Sequence, residues 1–197
     1  MQTLTSITHQ DSRRLLLLDH AAACFRRLGY QPATVRDVAR DLGMTTGGIY
    51  AHFGSKESLL IAVYTQGIEQ ICEHVLAAIA AAGPKPADRL RAALTAHMEF
   101  LLSGGDYAQV VIRVLPDDAP ETARADLTAL RDRYEAIFVD VVAGLKLKRG
   151  IDRHVFRLLV LGALNSTQRW YSGKGLAPRQ IAECLYAMLG CSMEETK

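Results

Sequence analysis

From Leu15 to Met188 the chain repeats apolar residues every three or four positions, and nowhere do valine, isoleucine and threonine alternate with polar residues as in a half-buried strand. That regularity predicts an all-α fold. Glycine and proline cut the pattern into lengths. Leu15, Leu18, Ala22 and Phe25 form a first stripe, with Gly29 suited to a left-handed cap. Thr34 opens a short second helix, capping the amides near Asp37 in a weaker variant of the capping box, and Gly43 ends it. A third helix runs from Thr45 to about Phe53, and a long fourth from Ser55 to about Ala82. Leu60, Tyr64, Ile68, Ile71 and Val75 lie on one side of the fourth helix. Gly83-Pro84-Lys85-Pro86 stops it, because two prolines in three residues cannot continue a helical ladder.

Leu90, Leu94, His97 and Leu101 mark a fifth helix closed by Ser103-Gly104-Gly105, and a sixth covers about Asp106 to Leu115. A seventh stripe follows Pro120 through Leu127, Leu130, Tyr134, Ile137, Val141 and Leu145. Asp152 caps an eighth helix reaching Trp170-Tyr171, and a ninth follows Pro178.

With 49% hydrophobic residues among 197, the chain can bury enough surface to offset ordering entropy, which excludes a disordered protein. Cys24, Cys72, Cys184 and Cys191 form no C-x-x-C pair and have no histidine at ligand spacing, as expected of free thiols in a reducing cytosol with no metal or cofactor. Leu15 to Leu18 follow Arg13-Arg14 like the start of a leader. Asp19 and His20 interrupt them well short of the roughly 7–15 apolar residues a signal peptide needs. Leu158 to Leu164 falls far below the ~18 residues of a membrane span. A soluble, cytoplasmic protein is expected.

The most informative stretch is Thr34 to Phe53. Two helices of about two turns, joined by Asp41-Leu42-Gly43-Met44, fit either a helix-turn-helix or an ordinary helical corner. Gly47-Gly48 in the second helix costs roughly 1 kcal/mol per glycine relative to alanine, so the pair asks for a reason. Close approach of a DNA backbone is one. Against it stands a formal net charge of only +2. That figure averages over the chain: from Asp11 to Glu57 there are seven basic and five acidic residues, so this segment alone carries the whole excess.

Leu17 to Leu60 resembles the N-terminal DNA-binding domain of TetR/AcrR-family transcriptional regulators. The resemblance rests on Ala22, Phe25, Gly29-Tyr30, Thr34-Val35-Arg36-Asp37-Val38-Ala39, Gly43-Met44-Thr45, Gly47-Gly48-Ile49-Tyr50-Ala51-His52-Phe53 and Gly54-Ser55-Lys56-Glu57-Ser58-Leu59-Leu60. It implies nine helices, with a DNA-binding domain over 10–56 and a ligand-binding and dimerisation domain over 57–197. A dimer would insert its third helices into successive major grooves of a palindromic operator. By position, Thr45, Thr46, Gly47, Gly48 and Tyr50 would face DNA, with Tyr50, His52 and Lys56 toward phosphate or sugar. Thr34 would present the amino end of the second helix, and Arg36 would reach a base edge or the backbone. With two glycines among these positions, phosphate contacts and shape readout would dominate.

The remainder resembles the sensor domain of the same family. Candidate cavity residues are Ile71, Val75, His97, Phe100, Leu101, Tyr107, Tyr134 and Phe138, with Asn165, Arg169 and Trp170 on the eighth helix; core packing is the alternative for most of them. Leu161 to Tyr171, Gly175-Leu176 and Leu189-Gly190 are similar to regulators of fatty-acid and sterol-ring degradation, with Ser166 where those proteins often carry an aromatic. This implies a small hydrophobic effector of the acyl-coenzyme A kind. Arg113, Arg131, Arg133 and Arg169 are candidates for its phosphates. Gly162, Ala163, Ile181, Leu185 and Met188 are the expected homodimer surface. The function implied is a repressor released by its ligand. The alternative is a helical lipid-binding or enzymatic protein of this fold that does not bind DNA; against an enzyme, H-E-x-x-H, G-x-S-x-G and a Walker loop are all missing.

Overall fold

Gly29 ends the first helix as its position demands: at φ +81° it takes the left-handed conformation, and its amide donates to Phe25 O at 2.9 Å. The computed structural model describes residues 9–103 and 105–194, with Gly104 of the expected stop outside them. Along the described residues run α1 (His9–Leu28), α2 (Val35–Asp41), α3 (Thr46–Phe53), α4 (Lys56–Ala81), α5 (Pro86–Leu102), α6 (Asp106–Arg113), α7 (Glu121–Ala143), α8 (Arg153–Ser166) and α9 (Pro178–Gly190). This is the all-helical, nine-helix architecture the periodicity predicts. No helix among the described residues is long and apolar enough to cross a membrane.

Several boundaries differ from the expected ones, each for a local reason. Pro86 begins α5 at the first helical position, where its missing N–H costs nothing. Val114 and Leu115 are extended, so α6 stops at Arg113; Leu115 precedes Pro116, which disfavours helical backbone. The eighth helix ends at Ser166 rather than Trp170-Tyr171. There Ser166 and Thr167 turn their hydroxyls back onto the carbonyls of Ala163 (2.9 Å) and Leu164 (2.6 Å), and the chain tightens into a 3-10 turn over Thr167–Arg169.

The α1 core face is Leu17, Leu18, Ala21, Ala22 and Phe25, while Leu15 is 39% exposed; the inner face is rotated slightly from the expected stripe. Val38, Ile49, Phe53 and the start of α4 close this head, with Tyr30 edge-on to Phe25 at 5.3 Å. In the body, α4 is the hub against which α5, α6 and α7 pack, and α9 lies on α5. Burying each large apolar side chain here contributes roughly 1.5–3 kcal/mol. Gly67 lets α6 lie directly on α4: a Cβ there would stand 2.6 Å from Val111 Cγ2 and 3.2 Å from the Tyr107 carbonyl oxygen.

Candidate functional site

The candidate DNA face is built from the turn outward. Gly43, at φ +63°, reverses the chain after α2, and the Met44 amide donates to Ala39 O at 2.9 Å. Thr45 then caps α3, its Oγ1 accepting from the Gly48 amide at 3.2 Å. A Cβ on Gly47 would meet nothing nearer than Thr45 Oγ1 at 4.0 Å, so nothing inside the molecule requires glycine there. At Gly48 a Cβ would crowd the Met44 methyl at 3.1 Å. Thr34, Arg36, Thr45, Gly47 and Tyr50 are exposed, whereas Thr46, Gly48 and His52 are half-buried.

Two positions carry more structure than the sequence suggests. At Thr34 the capping box is complete. The Asp37 carboxylate accepts from the Thr34 amide (3.0 Å) and hydroxyl (2.6 Å), and these bonds lower the Asp37 pKa. The amino end of α2 therefore already holds a carboxylate, which offsets the partial positive charge expected there. Lys56 donates to Gln31 O at 3.1 Å and sits 4.3 Å over the Tyr30 ring, so it ties α4 to the α1–α2 loop. Partial burial lowers its pKa. Arg27 and Arg40 pair with Asp41 (2.6 Å) and Asp37 (2.8 Å), whereas Arg36 has no ion pair among the described residues.

The body holds a cavity of about 670 Å³ whose walls come from α4 to α8 and the turn after α8. Of the expected residues, Ile71, His97, Phe100, Leu101, Tyr134, Asn165 and Arg169 line it. Val75, Tyr107, Phe138 and Trp170 do not. Val75 and Phe138 are fully buried in the packing, Trp170 is 60% exposed, and Tyr107 donates its hydroxyl to Asp19 on α1 at 2.8 Å. Arg113, a candidate for the effector's phosphates, lines the cavity from α6; Gln109 and Ile112 of the same helix and the acid Glu135 join it without having been expected from the sequence. The four-residue spacing of Gln109 and Arg113 puts both on one helix face and is the signal that was available.

His97, 1% exposed, faces the Tyr134 hydroxyl through Nδ1 at 2.5 Å. Burial lowers its pKa to about 4, so the ring is neutral near pH 7, and burial raises that of Tyr134 well above the usual phenol range. The Asn165 side chain is close enough to the ring to favour its charged form as a hydrogen-bond acceptor would, yet among the described residues it does not reach hydrogen-bond geometry, and Nε2 is left without a partner. Arg113, Arg131 and Arg169 also line the cavity. The Glu135 carboxylate there is taken by Arg157, and Asp118 is the other acid of the lining, so the three arginines leave it basic on balance.

One helix connects the two sites. While part of α6 lines the cavity, Asp106 on it pairs with Arg26 of α1 at 2.5 Å, Tyr107 binds Asp19, and Arg113 donates to Arg26 O at 3.3 Å.

Val155, Leu158 and Leu159 of α8 and Met188 of α9 are exposed apolar side chains, and Gly162, also exposed, lies at the cavity lining. Ile181, expected in the homodimer surface, is instead 8% exposed and faces inward: α9 lies on α5, and Ile181 belongs to the subunit's own core. Ala163 and Leu185 are half-buried.

These features define the class: an exposed helix-turn-helix with a bare recognition helix, carried on a helical sensor with a lined cavity. Residues 17–63 match the model of bacterial regulatory proteins of the tetR family, and residues 83–191 match the tetracyclin repressor-like C-terminal domain. The chain belongs to the TetR family of bacterial transcriptional regulators and is not an enzyme. Its head is 38% identical over 63 residues to the HTH-type transcriptional repressor Rv1474c of Mycobacterium tuberculosis, a match covering 32% of this chain and 34% of that protein. Along nearly the whole length it is 29% identical to the HTH-type transcriptional repressor KstR2 of M. tuberculosis, covering 91% of this chain and 92% of that protein. The solved structure of AibR in complex with isovaleryl coenzyme A and operator DNA superposes with a TM-score of 0.79 at 25% identity, covering 89% of this chain and 97% of that one.

Proposed function

We propose that this regulator is a cytoplasmic repressor that binds a palindromic operator as a homodimer and is released by an acyl-coenzyme A. Residues 10–56 act as the DNA-binding unit and residues 57–197 as the sensor and dimer unit. The observation that carries this reading is the cavity, apolar along Ile68, Ile71, Phe100 and Leu161 and basic at Arg113 and Arg169. An acyl chain suits the first set and phosphates suit the second. The complex of AibR with isovaleryl coenzyme A and operator DNA supports it.

On DNA, Thr45, Thr46, Gly47 and Gly48 bring the α3 backbone against the groove, while Tyr50, His52 and Arg36 contact sugar, phosphate or base edges. Lys56 adds a cation that its bonds to Gln31 and Tyr30 hold in place. The exposed apolar surface of α8 and α9 closes the dimer across a two-fold axis. Two recognition helices then meet half-sites about 34–36 Å apart. An effector in the cavity moves α6, and the Asp106–Arg26 and Tyr107–Asp19 contacts pass that movement to α1 and the head. The equilibrium shifts only as far as the effector's affinities for the two states differ.

The test is a thermal-shift series with acyl-coenzyme A thioesters of increasing chain length, followed by fluorescence anisotropy on operator DNA. The expected result is a raised melting temperature together with operator release. Stabilisation by none of the series overturns the assignment of the effector.

A further inference from the structure

We propose that His97 reads the carbonyl oxygen of the effector. Held in one tautomer by Tyr134, its Nε2–H donates to the C=O of an acyl group seated in the cavity, so the site selects thioesters over thioethers or hydrocarbons of the same shape. This rests on the reading that the cavity holds an acyl thioester.

The ring is buried and neutral, so it carries a single N–H, on Nδ1 or on Nε2. Its contact with the Tyr134 hydroxyl can run in either direction. If Nδ1–H donated to the tyrosine oxygen, the phenolic hydrogen would need a second acceptor, and the described residues offer Tyr134 no other hydrogen-bond partner. That arrangement strands two groups, the phenol O–H and the Nε2 lone pair. If instead Tyr134 donates to Nδ1, its hydrogen is used and only Nε2–H is left over. The second arrangement loses fewer bonds, and it fixes Nε2 as a donor.

Among the described residues Nε2 is buried without a hydrogen-bond partner, on a residue that lines the cavity. A buried N–H without an acceptor is costly, and native structures rarely keep one without a use. What Nε2–H lacks is an acceptor in hydrogen-bond geometry, since the Asn165 side chain beside the ring does not reach it. The oxygen that fills this place is a neutral one, because an anion is drawn to the arginines of the lining rather than to a desolvated, uncharged ring. Ile71 and Leu101 line the same cavity and suit hydrocarbon, so the oxygen belongs to a molecule that is otherwise apolar at that depth. An ester-type carbonyl at the head of an alkyl chain has this chemistry. The arginines of the lining take the anionic end of the molecule.

The experiment compares isovaleryl- and octanoyl-coenzyme A with the S-alkyl thioethers of the same chains, which keep everything except the carbonyl oxygen. Calorimetry on the full-length protein is expected to give roughly tenfold tighter binding of each thioester. His97→Phe is expected to bind both at the affinity of the thioether. Equal binding of thioester and thioether by the unmodified protein overturns this inference and leaves the effector assignment standing. Binding of neither overturns both. If His97→Phe does not fold, the infrared carbonyl band of a 13C-labelled thioester bound to the unmodified protein decides: a shift to lower frequency is expected, and an unshifted band overturns the proposal.

Discussion

The DNA face and the cavity are assembled in opposite ways. Thr45 to His52 are eight neighbours in the chain, set by one turn and one cap, and their use lies in what they leave exposed. The cavity gathers residues from Ile68 to Arg169, and its use lies in what it encloses. In the head the notable absence is a side chain, at Gly47, where there is room for one. In the body it is a hydrogen-bond partner, at His97 Nε2. An interface can therefore be formed by local sequence alone, whereas a binding cavity exists only once distant helices have packed.

The largest effect expected is from Leu159→Glu on the exposed face of α8. If that surface holds the dimer together, the charge separates the subunits, and operator affinity falls roughly a thousandfold as the second half-site is lost. Sedimentation and a shift assay together check this. A monomer that still binds tightly would break the proposed link between the two regions.

Acid should separate the regions by stability. His97 titrates at about 4 in the folded protein against 6.5 for a free histidine, so the unfolded state binds more protons between those values. The stabilisation is complete above pH 6.5 and declines toward pH 4, by up to about 3 kcal/mol. Asp37 also has a lowered pKa, and its contribution to the head is lost only below the ordinary aspartate value of 3.8. The body should weaken first. Denaturant melts at pH 7 and 4.5, with His97→Phe as control, measure the slope.

Gly47→Leu should not lower the melting temperature, because the space is open, while operator affinity drops roughly tenfold or more (~1.4 kcal/mol or above). Gly47→Ala sharpens the point. It raises helix propensity by up to about 1 kcal/mol, so a protein that is more stable yet binds DNA less well marks a glycine kept for its partner. The smallest effect is on Tyr107→Phe, which removes the hydroxyl bound to Asp19. About 1 kcal/mol of coupling is expected to disappear, read as a severalfold weaker release of operator by effector with the effector affinity itself unchanged.

The head was largely legible because its signals are short-range. Thr34 and Thr45 announce their caps three residues ahead, and Gly29 and Gly43 mark the positions where φ must be positive. Even there, Lys56 looked like a free cation, since nothing in the chain brings Tyr30 and Gln31 to it before α4 docks. In the body, periodicity gave the buried stripes but not which members face space rather than packing. Ile71 and Val75 are one turn apart on α4 and both buried, yet only Ile71 lines the cavity. Tyr107 and Ile181 follow the same rule: each lies on an apolar face, and the helix opposite decides what that face meets.

The helices of the described residues, their order and the glycine-rich third helix with its cap are readable along the chain, because hydrophobic periodicity, capping and glycine conformation act over a few residues. Packing set the shape of the cavity, the inward turn of Ile181, the α6 bridge between body and head, and the unmatched Nε2 of His97. Those depend on contacts between residues tens of positions apart, which no local spacing encodes.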